Sequence, residues 1–261
     1  MHALAFLTSR RYLLGAVAAG LVVAGTSAHA RDDGSWSERF GLGQVKGSGK
    51  IATERRAASD FRAVHLAGAM KVVIRQSGKE AVEVSADDNL LPMIETKVVT
   101  LDGVPTLEIG TKKGASYTTR NRMVVTVDVI DLKSVAISGS GDVVADGIKT
   151  GELKLKITGS GDARMNQLDA GAMAVHVAGS GDVALAGKSG RLSISIAGSG
   201  DVTTRDLAAE DVSVSIAGSG DARVNARKTL DVSIAGSGDV DYTGDAVVKT
   251  SIAGHGSVKK H

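Results

Sequence analysis

From Ser134 to Val258 apolar and polar positions alternate in a pattern that restarts every 18 to 20 residues. Val135, Leu155, Val175, Ile194, Val214, Val232 and Thr250 are each followed two positions later by Ile137, Ile157, Val177, Ile196, Ile216, Ile234 and Ile252. The residue between them is polar or small, which is the period-two signature of a strand with one buried face. Each pair runs into a turn that reads Gly-Ser-Gly-Asp, beginning at Gly139, Gly159, Gly179, Gly198, Gly218 and Gly236. An altered seventh copy is Gly254-His255-Gly256-Ser257. The aspartates Asp142, Asp162, Asp182, Asp201, Asp221 and Asp239 then lead into a second apolar position, Val143, Ala163, Val183, Val202, Ala222 and Val240.

A unit this short cannot bury its own apolar face, whereas stacked copies can. Parallel pairing would place successive coils ~4.8 Å apart, so the repeats make a column of roughly 30 Å. The predicted fold class is therefore all-β, a single-stranded parallel β-helix, or β-solenoid. A β-propeller blade needs about twice this period and four strands. The variation in length falls beyond the aspartate, where the longer coils carry Ile148, Leu168 or Leu207 on a short extra strand and the shorter ones trim that side.

The segment before the repeats is less regular. Strands are expected at Arg62–Leu66, Lys71–Gln76, Ala81–Ala86, Thr96–Leu101, Thr106–Ile109 and Met123–Val129, with one helical turn within Asp88–Ile94. Gly47-Ser48-Gly49-Lys50 reads as a degenerate early corner. The expected organisation is residues 1–30 a signal peptide, 31–44 a flexible leader, 45–131 an N-terminal β region of irregular coils acting as a cap, and 132–258 the repeat solenoid. A bare solenoid end is a sheet edge open to other chains, hence the expected cap, and Lys259, Lys260 and His261 put charge at the other end.

Residues 1–30 carry Arg10 and Arg11, an apolar run from Tyr12 to about Gly25, and Ala28-His29-Ala30. That is the layout of a cleaved export signal, with cleavage after Ala30 and a periplasmic or extracellular product. Ser9-Arg10-Arg11-Tyr12-Leu13-Leu14 fits a twin-arginine signal as well as it fits the general secretory route. The whole chain holds 31 Lys and Arg against 29 Asp and Glu. Losing the two signal arginines brings it to balance, which with few aromatics argues against nucleic acid as a partner. With no cysteine there is no disulfide, thiol chemistry or lipid-anchored N-terminal cysteine, and no membrane insertion is expected after cleavage.

Asp60-Phe61-Arg62-Ala63-Val64, Lys71-Val72-Val73-Ile74-Arg75-Gln76, the repeated tetrads and Val240-Asp241-Tyr242-Thr243-Gly244 together resemble the secreted bacterial family of the "putative auto-transporter adhesin head GIN domain". The resemblance spans roughly residues 45 to 258. It implies a right-handed, pectate-lyase-like β-helix in the cell envelope. Many members have proline after the Tyr-x-Gly element, where this chain has Asp245-Ala246.

Two constellations could carry function. In the first, the tetrads, the glycines shape the corner, and each carboxylate is expected to accept hydrogen bonds within its own turn. The competing reading of this column is calcium held between coils, although one aspartate per coil supplies few ligands. No cofactor is therefore expected. The second is the outward column Ser195, Ser215, Ser233 and Ser251, with Ser193 and Ser213 beside it. A regular hydroxyl array could contact a glycan or another envelope protein. His65, His176, His255 and His261 are scattered, with no evident acid and nucleophile partners. The expected function is non-catalytic binding, adhesion or scaffolding, with a small carbohydrate-active β-helix enzyme or a calcium-dependent module as alternatives.

Overall fold

The computed structural model describes residues 44–261. The signal segment, its cleavage point and residues 31–43 of the leader lie outside the described residues. The strands in chain order are β1 (Val45–Lys46), β2 (Ile51–Arg56), β3 (Ala63–Gly68), β4 (Lys71–Gln76), β5 (Ala81–Asp87), β6 (Ile94–Leu101), β7 (Val104–Thr111), β8 (Tyr117–Thr118), β9 (Val124–Val129) and β10 (Ser134–Gly139). They continue with β11 (Asp142–Asp146), β12 (Lys149–Gly159), β13 (Ala163–Gly179), β14 (Val183–Gly198), β15 (Val202–Gly218), β16 (Ala222–Gly236), β17 (Val240–Thr243), β18 (Val247–Gly254) and β19 (Val258–Lys260). A single 3₁₀ turn, Leu91–Met93, stands where one helical turn was expected.

The fold is the β-solenoid that the repeat predicts. Each of β13 to β16 bends around the column and pairs in parallel with the strand one coil on. A first wall is formed by the residues leading into each corner, where Ile137, Ile157, Val177, Ile196, Ile216 and Ile234 stack inside at 2% exposure or less. A second wall starts at the aspartates, and a third carries Ile148, Leu168 and Leu207, all buried. Pairing along the first wall is unbroken from coil to coil, whereas the register shifts fall between the start of the second wall and the return to the first. Between β15 and β16 the pairing passes from Thr204 opposite Val224 directly to Ala208 opposite Asn225. The trimmed residues of the shorter coil therefore lie where the sequence placed them.

The N-terminal region is woven into the same walls in a different spatial order. β10 pairs with β3 on the first wall and β11 with β4 on the second. On their other side β3 and β4 pair with β7 and β9, so a later segment lies beneath an earlier one. Beyond these, antiparallel β6 flanks β7, while β5 and then β2 flank β9. Gly139 pairs with Gly68 and Asp142 with Lys71. The first corner is thus Gly68-Ala69-Met70-Lys71, with a lysine in the aspartate position.

Gly47-Ser48-Gly49-Lys50, expected to be that corner, has another role. It is a loop clasped by Asp87-Asp88-Asn89. The Ser48 amide donates to Asn89 Oδ1 at 2.9 Å, the Gly49 amide to Asp87 Oδ1 at 3.1 Å, and Ser48 Oγ to Asp88 Oδ1 at 2.6 Å. Asp87 is 1% exposed and also accepts from Thr119 Oγ1 and Asn121 Nδ2. Glycine is required at 47 because a Cβ there would run into the Asp87 carboxylate.

Candidate functional site

The corner column is built from backbone geometry upward. The first glycine of each tetrad has positive φ, from +117° at Gly139 to +144° at Gly236, where a side chain is strained. The second glycine is set by close approach instead: at Gly181 a Cβ would sit 2.1 Å from the Gly161 carbonyl oxygen. The serine amide donates to the first glycine's carbonyl one coil back, as from Ser180 to Gly159 at 2.9 Å.

The aspartates continue this ladder, and here the expectation of bonds within each corner is corrected. The amide of Asp182 donates to Asp162 Oδ1, that of Asp201 to Asp182 Oδ1, and that of Asp221 to Asp201 Oδ1, each at 3.0 Å. Asp239 donates to Asp221 Oδ1 at 2.9 Å. From Asp162 onward the carboxylate thus takes the place that a backbone carbonyl holds at the first corner, where the Asp142 amide donates to the Met70 carbonyl at 3.0 Å. The ladder closes at Ser257, whose amide and hydroxyl both donate to Asp239 Oδ1 at 2.8 Å. Asp142 stands apart: its carboxylate faces Arg122 Nη2 at 3.6 Å.

These bonds bear on what holds the column together. Neighbouring carboxylates ~4.8 Å apart repel by only about 1 kcal/mol in water, and each receives an amide dipole, so no cation is needed to hold them. Among the described residues no three His, Cys, Asp or Glu side chains converge as a metal would need. A groove of about 430 Å³ does run beside Asp142, Asp162, Asp182 and Asp201, with Lys71, Arg122, Arg164 and Arg223 on its margins. A glycosidase needs two carboxyls whose surroundings drive their pKa values apart. Here Asp162, Asp182 and Asp201 each accept an amide from the next coil, while Asp142 faces Arg122.

One serine–histidine contact escaped the sequence because its members are 73 residues apart. His65 Nε2 lies 2.9 Å from Ser138 Oγ, and Glu108 is the register neighbour of His65 on β7. His65 Nδ1 is buried without a partner, which favours a bare lone pair there over a stranded N–H. In that tautomer the Nε2 proton would be donated to Ser138, and the ring would not take the hydroxyl's proton. Glu108 is engaged with Lys97 at 3.7 Å.

The outward side of the first wall bears the serine columns where the sequence placed them. Ser195 pairs with Ser215, Ser215 with Ser233 and Ser233 with Ser251, while Ser193 pairs with Ser213. Beside them runs a column of exposed alanines, Ala178, Ala197, Ala217, Ala235 and Ala253. The column of Ser193 continues into Asp231 and Lys249 rather than further serines. Along its margin lies a trough of about 330 Å³, floored by Ala172, Ala174, Ser193 and Ser213 and rimmed by Glu152, Arg191, Asp211 and Asp231. The trough exists because small residues leave the sheet bare between longer ones.

Two carboxylates have a titration consequence. Hydrogen bonds from Thr119, Asn121 and the Gly49 amide hold the Asp87 carboxyl below its ordinary value, and those from Ser257, first its hydroxyl and then its amide, do the same at Asp239. A depressed folded pKa means that the unfolded chain binds protons first as pH falls. The stability these groups contribute is intact above about pH 4 and is lost as pH drops through the lowered folded values. Urea unfolding at pH 6 and pH 3 should therefore show an acid loss that is shallower in Asp87→Asn, which is already weakened at pH 6. An equal acid loss in both proteins would remove Asp87 from this role.

No functionally curated protein matches the chain. Solved structures do. A protein described as a putative adhesin from Bacteroides fragilis is 26% identical with a TM-score of 0.76, covering 83% of this chain and 100% of that one. A "putative lipid binding protein" from Parabacteroides distasonis is 27% identical with a TM-score of 0.67, covering 84% and 100%. A putative adhesin from Parabacteroides merdae is 26% identical with a TM-score of 0.64, covering 84% and 99%. The sequence profile of the "Putative auto-transporter adhesin, head GIN domain" family matches residues 60–246, which takes in the first corner at Gly68, all six tetrads and the Tyr242 element, and the chain belongs to that family.

Proposed function

We propose that this chain is an exported, non-catalytic envelope protein that works by presenting the outward first wall as a contact surface. The observation that carries this reading is the unbroken register of that wall. Its serine and alanine columns stay aligned across successive coils, while every register shift is kept elsewhere. Such a wall is a rigid display of hydroxyls with little side-chain entropy to lose on contact. Family membership and the adhesins of similar fold support the same reading. In it the aspartates are structural, no cofactor takes part, and nucleic acid is not a partner. The signal is cleaved after Ala30, and no described helix is long and apolar enough to cross a membrane.

Retention on washed envelope material tests this. The triple variant Ser195→Lys, Ser215→Lys and Ser233→Lys is expected to lose at least tenfold in retention. A second-wall variant, Thr203→Lys, is expected to keep it, and chelator is expected to make no difference. Equal retention of both variants, or release by chelator, would overturn the reading.

A further inference from the structure

At the capped end of the column a single stretch of chain gathers the cations. Asp87 to Met93 runs from the end of β5 through the 3₁₀ turn, and separate basic segments are tied to it. The Asn89 side chain donates to the Lys46 carbonyl at 2.8 Å, and the Met93 carbonyl accepts the Lys112 amide at 2.8 Å. Asp87 accepts from Thr119 and Asn121, the residues on either side of Arg120. Lys46, Lys112, Lys113 and Arg120 are all exposed, and between Glu108 and Asp128 the sequence holds no acid. The nearby acids are largely engaged already. Asp87 is buried, Asp88 faces Ser48 and Lys50, and Asp142 faces Arg122. Glu95, the register partner of Gly110, adds one exposed carboxylate beside them. Apolar groups stand among these cations: Val45, on the strand of Lys46, is 37% exposed, and Ile51, opposite Asp87, is 58% exposed.

From this we infer that the capped end docks, without inserting, on the surface of a bilayer bearing anionic lipid headgroups. The cations meet the headgroup charge, while Val45 and Ile51 reach the boundary between headgroups and acyl chains. Cations interspersed with exposed apolar side chains suit that boundary, whereas a soluble polyanion has no use for the apolar pair. The chain as a whole is close to charge balance, so the attraction comes from where the charges sit and not from their sum. Such an attraction is screened over ~10 Å at 0.1 M salt, which makes the docking reversible. Washing in salt removes it, so retention on envelope material after such a wash reports the first wall alone.

The test is co-sedimentation at low salt of the chain, as its expressing cell processes it, with two kinds of vesicle. One is phosphatidylcholine alone, and the other is phosphatidylcholine and phosphatidylglycerol in equal parts. Binding is expected only to the second. The triple variant Lys112→Glu, Lys113→Glu and Arg120→Glu is expected to bind at least tenfold more weakly, since each cation contributes separately. A triple variant at other exposed cations, Arg205→Glu, Lys259→Glu and Lys260→Glu, makes the same change in net charge and is expected to stay within threefold of the unaltered protein. Ile51→Ser is expected to weaken binding about threefold, as removal of one partly buried apolar group would. Matched thermal melts confirm that the variants are folded. Equal binding to both vesicles, or equal losses in the two triple variants, would overturn the inference. So would a soluble polyanion such as heparin that binds as tightly as the vesicles and is indifferent to Ile51→Ser. The first wall is tested apart from this: its serine-to-lysine variant keeps the cap, and the cap variant keeps the serines.

Discussion

Gly181→Ala is expected to lose about 3 kcal/mol or more of stability, the upper range for overpacking a fixed site. The added methyl would lie 2.1 Å from the Gly161 carbonyl oxygen and 2.9 Å from Ile157 Cγ2. Neither can move aside. The carbonyl belongs to the previous coil, whose spacing is fixed by pairing on every wall, and Ile157 is fully buried. Gly151→Ala is the control, because nothing lies within 4 Å of a Cβ there and its φ is ordinary. That change should be neutral or slightly stabilising through the unfolded chain. Urea midpoints measure both, and a Gly181→Ala midpoint close to that of Gly151→Ala would mean the coils are not stacked this tightly.

Asp201→Ala is expected to cost about 1 to 3 kcal/mol, the range for stranding a donor. It leaves the Asp221 amide without its 3.0 Å acceptor, while the Asp201 amide still donates to Asp182. Asp201→Asn keeps an acceptor oxygen and should cost less. Asp142→Ala should cost under about 1 kcal/mol, because it removes only an exposed ion pair with Arg122. The ordering of these variants by chemical denaturation separates an inter-coil ladder from aspartates that merely tidy their own turns. Equal losses at 142 and 201 would contradict the ladder.

Much of this was legible from the repeat, because a buried isoleucine every 18 to 20 residues leaves few ways to wind the chain. The serine columns were legible for the same reason, since phase along the strand fixes which way a side chain points. The first corner was not. Gly68-Ala69-Met70-Lys71 keeps only one glycine of the tetrad, although Val64 and Leu66 hold the phase that betrays it. Gly47-Ser48-Gly49-Lys50 has the better letters and the wrong neighbours. The direction of the aspartate bonds was also hidden, because a turn aspartate can reach its own amides or those of the next coil, and only the rise per coil decides. The placement of β7 and β9 beneath β3 and β4 depends on pairings that no local pattern encodes.

The ladder also makes the coil a unit of exchange. Each tetrad from Asp182 to Asp239 offers an amide to the coil before it and a carboxylate to the coil after it, so both kinds of neighbour find the same socket. A duplicated or deleted coil would therefore leave every remaining joint satisfied. Ser257 turns both of its donors back onto Asp239 and extends no carboxylate onward. Within this scheme the height of the column, and with it the area of the first wall, can change in whole-coil steps without any new local chemistry.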